Sequence, residues 1–389
     1  MLVYPCFELG DSQNDDRMDP SVRRPARSTA PRLAALTLAV TLVAACGANP
    51  GSHGGSGDKT AAVDLSSAEI LDDPKIYEGE THAPLPDTAI TPAESNPTPT
   101  LPATVTDSQG SKVTVTDTSR ILALDIYGTI SQTVFELGLG DQVVGRDVST
   151  QFKEAKDLPL VTGTGHDLNA EAILELDPTV ILTDTSLGPW DVILQMRDAG
   201  IPVVVVASSR SLDNVGSLTQ EIADALGVSE QGKALGERIE AEAAKTADAI
   251  KAVAPSSVQD KLRTVFLYVR GQAGVYYMFG EGSGADGLID ALGAYDVSGE
   301  IGWKGMKPVN DEGIIAAQPD LILMMSDGLT SVGGVDGLLE RLPAIAETPA
   351  GQNRRIVDMS DNAILSFGPR TSDILNSLAV AIYAPESLS

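Results

Sequence analysis

The chain has 389 residues, 42% of them hydrophobic, with 54 acidic against 27 basic side chains and a formal net charge of −27. That length suffices for two or three domains with sizeable cores, and so acidic a surface excludes nucleic acid as an expected partner because it repels phosphate backbones. The two cysteines, Cys6 and Cys46, both precede the portion expected to fold, so neither a disulfide framework nor a cysteine metal site is expected there.

Residues 23–46 read "RRPARSTAPRLAALTLAVTLVAAC". Four arginines precede an apolar run, Leu33 to Ala45, that is short for a membrane span. It ends in Val43-Ala44-Ala45-Cys46, which resembles a bacterial lipobox, in which the cysteine is lipidated and becomes the first mature residue. Residues 1–45 are therefore expected to be a signal-peptide region, with Met18 a candidate true start. Cys46 is the expected lipidation site, on the outer face of the cytoplasmic membrane. Residues 46–104 are rich in Gly, Ser, Pro, Thr and Asp and lack apolar periodicity, which predicts a disordered tether containing His53 and His82.

From 105 to 227 the pattern changes to an N-terminal α/β lobe. "TVTDSQGSKVTVTD" predicts a hairpin turning at Gln-Gly. "RILALD", "QVVGRD", "TVILTD" and "IPVVVVA" read as short buried strands, and "GTISQTVFELGLG", "NAEAILEL" and "WDVILQMRDAG" as helices between them. Alternating strands and helices imply a parallel sheet. Residues 228–255, dominated by Ala, Glu and Lys without a strand signal, predict one long helix. Residues 256–389 form a second α/β series that opens with "TVFLYVR" and "GVYYMFG" and closes with "PRTSDILNSLAVAIYA". The lobes echo each other: "LNAEAILELDPTVIL" matches "VNDEGIIAAQPDLIL" and places Glu171 and Glu312 in equivalent positions, 141 residues apart.

Lipobox, tether, α/β lobe, single long helix and second α/β lobe together resemble the substrate-binding proteins of ABC importers for iron chelates, haem and cobalamin. The resemblance covers roughly residues 105–386. It implies an α/β fold of two Rossmann-like lobes joined by one long α-helix, with ligand in the cleft between them. The stretches "TGTGHDLNAE", "LYVRGQAGVYYMFGEGSGADGLIDALGA" and "LPAIAETPAGQNRRIVDM" are most similar to haemin-binding lipoproteins of the HmuT type. That likeness implies His166 and Tyr268 as axial ligands of haem iron from opposite faces, with Arg270 hydrogen-bonded to the tyrosine. It also implies that Glu171 and Glu312 dock onto the permease.

The chemistry agrees. Ferric iron favours an anionic oxygen, a free phenol titrates near 10, and a neighbouring guanidinium helps to hold the phenolate. Residues i and i+2 of a strand share a face, so Tyr268 and Arg270 can both reach the cleft. His166 offers a neutral imidazole from a turn with glycines at 163 and 165. Tyr277, Trp303 and Met325 are expected to line the apolar pocket, although core packing is the ordinary use of such side chains. Arg146 and Arg210 are candidates to offset propionate charge.

The expected ligand is haem, carried rather than resident. The expected partners are an ABC permease with its ATPase and upstream cell-surface haem-binding proteins, and the chain is expected to act as a monomer. A ferric-siderophore or cobalamin carrier on the same scaffold is the alternative. An enzyme is not expected: the chain has no GxSxG elbow, no HExxH and no evident nucleophile, and "GEGSGADG" lacks the Lys-Ser/Thr of a phosphate loop.

Overall fold

A computed structural model describes residues 63–163 and 165–388. The expected signal region, His53 and Cys46, the expected lipidation site, lie outside these residues.

Residues 63–104 do not behave as the disordered tether that their composition predicts. Leu65 is buried, and its amide is held by Asn376 at 3.0 Å. Thr81–His82 forms a short strand, β1, running parallel to Val357 and Asp358. Tyr77 covers Arg355, whose guanidinium lies 4.6 Å from the ring centroid. Arg355 is 1% exposed and donates to Thr81 Oγ1 at 3.0 Å and to the carbonyls of Ala381 and Ile382 at 2.9 Å each. Burial pulls its pKa down to about 10. A strap that inserts one side chain at a time needs no apolar period, which is why composition misread it.

β2 (Ala103–Thr106) and β3 (Lys112–Val115) form the expected hairpin. Asp107 Oδ1 accepts from the amides of Gln109 and Ser111, and Gly110 takes the left-handed conformation at φ +80°. The first lobe follows with β4 (Ile121–Leu124), α1 (Thr129–Val134), α2 (Ala170–Glu175), β5 (Val180–Thr183), α3 (Trp190–Asp198), β6 (Val203–Val205) and α4 (Val215–Ala225). Its sheet runs β4-β5-β6, all parallel. Every residue of these strands is buried, so they read as continuous apolar runs rather than alternating ones. "QVVGRD" differs from expectation: it makes only single bridges, at Val143 and Arg146. The chain passes so close to α2 at Gly145 that an added Cβ would meet Leu176 at 2.4 Å.

α5 (Ser229–Val253) is the long helix, about 37 Å at the standard rise. Gly232, Leu235, Gly236 and Ile239 bury its first half against the first lobe, and Gly236 allows close approach to Gly216 of α4. Ile250 near its far end belongs to the second lobe's core.

The second lobe contains β7 (Arg263–Arg270), β8 (Val275–Phe279), α6 (Ala285–Ala291), β9 (Tyr295–Asp296), β10 (Met306–Pro308), α7 (Asp311–Ala317), β11 (Leu321–Met325), α8 (Ser326–Val332), α9 (Gly334–Arg341), the single-turn helices α10 (Pro343–Ala346) and α11 (Pro349–Gln352), β12 (Ile356–Met359) and α12 (Thr371–Tyr383). Its sheet order is β1-β12-β11-β7-β8-β10, with β9 on β7. β12, β11 and β7 are parallel, while β8 and β10 are antiparallel additions. One core fills each face of this sheet.

The internal repeat is structural. Asn169 and Asn310 cap α2 and α7 alike, accepting from the amides of Ala172 and Gly313 at 3.1 and 2.7 Å. Asp177 and Gln318 follow in the left-handed region at φ 43° and 42°, then Pro178 and Pro319, then a buried strand.

Candidate ligand cleft

β7 and β8 build one wall. Opposed residues of an antiparallel pair share a face, so the registers Phe266↔Phe279, Tyr268↔Tyr277 and Arg270↔Val275 put these six side chains together. Tyr268 is half-buried and stacks on Phe279, with ring centroids 6.2 Å apart and 28° between planes. Met325 ends the neighbouring strand β11, one residue past the Met324↔Leu267 pair, and so flanks Tyr268 on the same face. Met325 and Tyr277 thus bracket the tyrosine.

Arg270 lies over Tyr268 with its guanidinium carbon 4.5 Å from the ring centroid. Its Nη2 pairs with Asp361 Oδ2 at 2.6 Å, and its Nη1 donates to the Val269 carbonyl at 2.9 Å. The arginine therefore caps the ring face rather than bonding to the phenol oxygen as the resemblance implies. Asp361 also accepts from the Asp327 amide at 2.9 Å. Burial raises its pKa, against the Asp327 amide and Arg270, which lower it. Gly328 permits this packing, because a Cβ there would stand 2.8 Å from the Val269 carbonyl.

The opposite wall carries His166. Its loop closes on itself: Gly163 N donates to the Asp167 carbonyl at 2.7 Å, Thr162 bridges Leu168, and Leu168 N donates to the Gly188 carbonyl at 2.6 Å. Gly165 supplies the left-handed residue, at φ +74°, that turns the loop. The His166 side chain is exposed. Partial desolvation and the positive charge of Arg270 lower its pKa, while Asp361 and Asp167 oppose the shift. A lowered pKa favours the neutral imidazole, the form that binds metal.

Direct contacts join the walls. Thr129 Oγ1 donates to the Ser366 carbonyl at 2.8 Å, Asn362 Nδ2 donates to the Ser149 carbonyl at 3.1 Å, and Tyr127 and Leu212 pack on the second lobe's core.

Other expected site residues fall elsewhere. Trp303 packs with Ile314 on the far face of the sheet, its indole donating to the Met278 carbonyl at 2.9 Å, so it is a core residue and not part of the cleft. Arg146 is turned to backbone carbonyls of its own loop. Arg210 is buried against Asp184 at 2.7 Å and Asp125 at 3.4 Å, which leaves it no face for a propionate. Glu171 and Glu312 are exposed in the first turns of α2 and α7.

The sequence reading missed two things. Asp361 has no local signal, since it lies 91 residues from the arginine it holds. The acids around Arg210 had one: "RILALD", "QVVGRD" and "TVILTD" all end in aspartate, and Asp125, Asp147 and Asp184 converge beneath the cleft. Asp147 Oδ1 accepts from the amides of Ser149 and Thr150, and Asp184 Oδ1 from that of Ser186, so the cluster sets the loops that meet the second lobe.

A sequence model of the periplasmic binding protein family matches residues 126–363. The chain belongs to this family. Among its members of known structure, the haem-binding protein HmuT is 40% identical, with a TM-score of 0.75 over 80% of this chain and 99% of that one. The periplasmic haem-binding protein RhuT from Roseiflexus sp. RS-1 is 37% identical, with a TM-score of 0.63 over 69% of this chain and 99% of that one. An uncharacterized ABC transporter substrate-binding lipoprotein, YvrC of Bacillus subtilis (strain 168), is 25% identical over 291 residues, 74% of this chain and 87% of that protein. Periplasmic binding proteins are non-enzymatic components of transport, and the two-lobed α/β fold described above is theirs.

Proposed function

We propose that this chain captures haem outside the cytoplasmic membrane and delivers it to an ABC permease for iron acquisition. The observation that carries the reading is Tyr268 on the β7–β8 face with Arg270 lying 4.5 Å over its ring, while the exposed His166 loop belongs to the other lobe. Solved structures of HmuT include variants in which a histidine, a tyrosine and an arginine are each changed to alanine, the arginine two positions after the tyrosine. Tyr268 and Arg270 keep that spacing. The solved neighbours bind haem, which favours it over a siderophore or cobalamin.

In this reading Tyr268 provides an anionic oxygen and His166 a nitrogen to the two faces of the iron. Arg270 stabilises the phenolate by charge, Asp361 holds Arg270, and Tyr277 and Met325 contact the macrocycle. Cys46 anchors the protein by lipid, Glu171 and Glu312 meet the permease, and the protein works as a monomer that can receive haem from cell-surface proteins. The test is an absorbance titration of purified protein with haemin. A saturable Soret band that Tyr268→Ala abolishes is expected. No Soret shift at a stoichiometric haemin ratio, or the same spectrum from Tyr268→Ala, would reject haem or the assigned ligand.

A further inference from the structure

Two exposed aliphatic side chains depart from the surface pattern in the same way. Leu174 on α2 and Ile315 on α7 are 47% and 46% exposed. Each stands three residues after an exposed glutamate, Glu171 or Glu312, and directly after a buried isoleucine, Ile173 or Ile314. Neither joins the core beneath it. A lone surface leucine needs no explanation. These two, however, occupy one position of the 141-residue repeat, under the same asparagine cap and ahead of the same left-handed exit and proline.

Residues three apart on a helix are neighbours, so each aliphatic side chain lies beside its glutamate. Further acids flank both, Glu175 and Asp177 on one lobe and Asp311 on the other. An exposed ion pair contributes little net affinity. Interfaces gain it from an apolar centre kept dry by a polar rim, with charge setting rate and register. We propose that Leu174 and Ile315 are the apolar centres of two equivalent docking contacts, fitting a membrane partner that presents two equivalent apolar hollows rimmed by cations. The proposal rests on the transport reading and on the docking role of Glu171 and Glu312. Repetition on both lobes of an exposed feature useless to either core is what a partner made of two like halves would read.

The test is haem uptake by cells whose own copy is replaced by the full chain carrying Leu174→Ser, Ile315→Ser or both. Because both sites are exposed, haemin titration of the purified variants should match the parent. Burial of a half-exposed aliphatic side chain predicts a roughly tenfold or greater loss of uptake efficiency for each single variant. Leu174→Met with Ile315→Leu should retain uptake. If the double serine variant takes up haem normally while Glu171→Ala/Glu312→Ala does not, the apolar centres are refuted and the docking reading stands. If neither pair affects uptake, docking through α2 and α7 falls as well. A loss confined to one serine variant overturns the equivalence, and weakened haemin binding in either overturns a docking role.

Discussion

Arg210→Met removes the guanidinium that lies 2.7 Å from Asp184 and 3.4 Å from Asp125, in a site where all three side chains are buried. Losing one partner of such a cluster costs about 3–5 kcal/mol, because the remaining charge is left uncompensated. With an unfolding entropy of about 2.1 cal/mol/K per residue over roughly 300 ordered residues, Tm should fall by about 5–8 °C near pH 8. The loss should depend on pH. Burial, reinforced by the neighbouring acids, pushes Asp125 up to about 7, against the pull of Arg210. Burial also pushes Asp147 up to about 6 and raises Asp184. Carboxyls raised in the folded state hold protons that the unfolded chain releases. Their contribution is therefore most favourable below about pH 4 and declines as pH rises through 7. For Asp125, a rise from the ordinary 3.8 to about 7 corresponds to about 4 kcal/mol across that window. At pH 5 the cluster has taken up protons and needs the cation less. Calorimetry at pH 5 and pH 8 should show the Tm deficit of Arg210→Met at pH 5 to be less than half that at pH 8. An equal deficit at both, or less than about 1 kcal/mol at pH 8, would show that the arginine does not compensate this charge.

Tyr268→Ala should lose most haemin affinity, whereas His166→Ala should leave a tyrosinate-bound, high-spin complex with shifted visible bands in absorbance spectra. Arg270→Ala should weaken haemin roughly tenfold in a competition titration, because Tyr268 loses the cation that lies over its ring. Cys46→Ala should release protein into the medium or leave it unprocessed, as read by fractionation and mass. His82 bonds Asp358 at 2.8 Å, and that hydrogen bond raises its pKa, against desolvation. The clasp it adds to β1 is full below pH 6.5 and fades as pH rises through the raised value. Hydrogen-exchange protection of 81–83, corrected for intrinsic rate, should be greater at pH 6 than at pH 8.

The alternation of strands and helices, the 25-residue connector and the Gln109-Gly110 hairpin follow from the sequence alone, because each is written in local periodicity and turn chemistry. So does the shared face of Tyr268 and Arg270, a consequence of strand geometry. Resemblance, not periodicity, singled out His166 among three histidines. Only the tertiary structure decided what each long side chain meets. Arg270 found Asp361 instead of the phenol oxygen, Arg210 was consumed by two aspartates that follow different strands, and Trp303 went to the core behind the sheet. Within the strap, Thr81 and His82 owe their place to Arg355 and β12, more than 250 residues later in the chain, and their own composition gives no sign of them. Local rules act over a few residues. A charge, a ring or a lone strand takes its role from whichever partner the packing of distant segments brings within a few ångströms, and that choice is not written near it in the sequence.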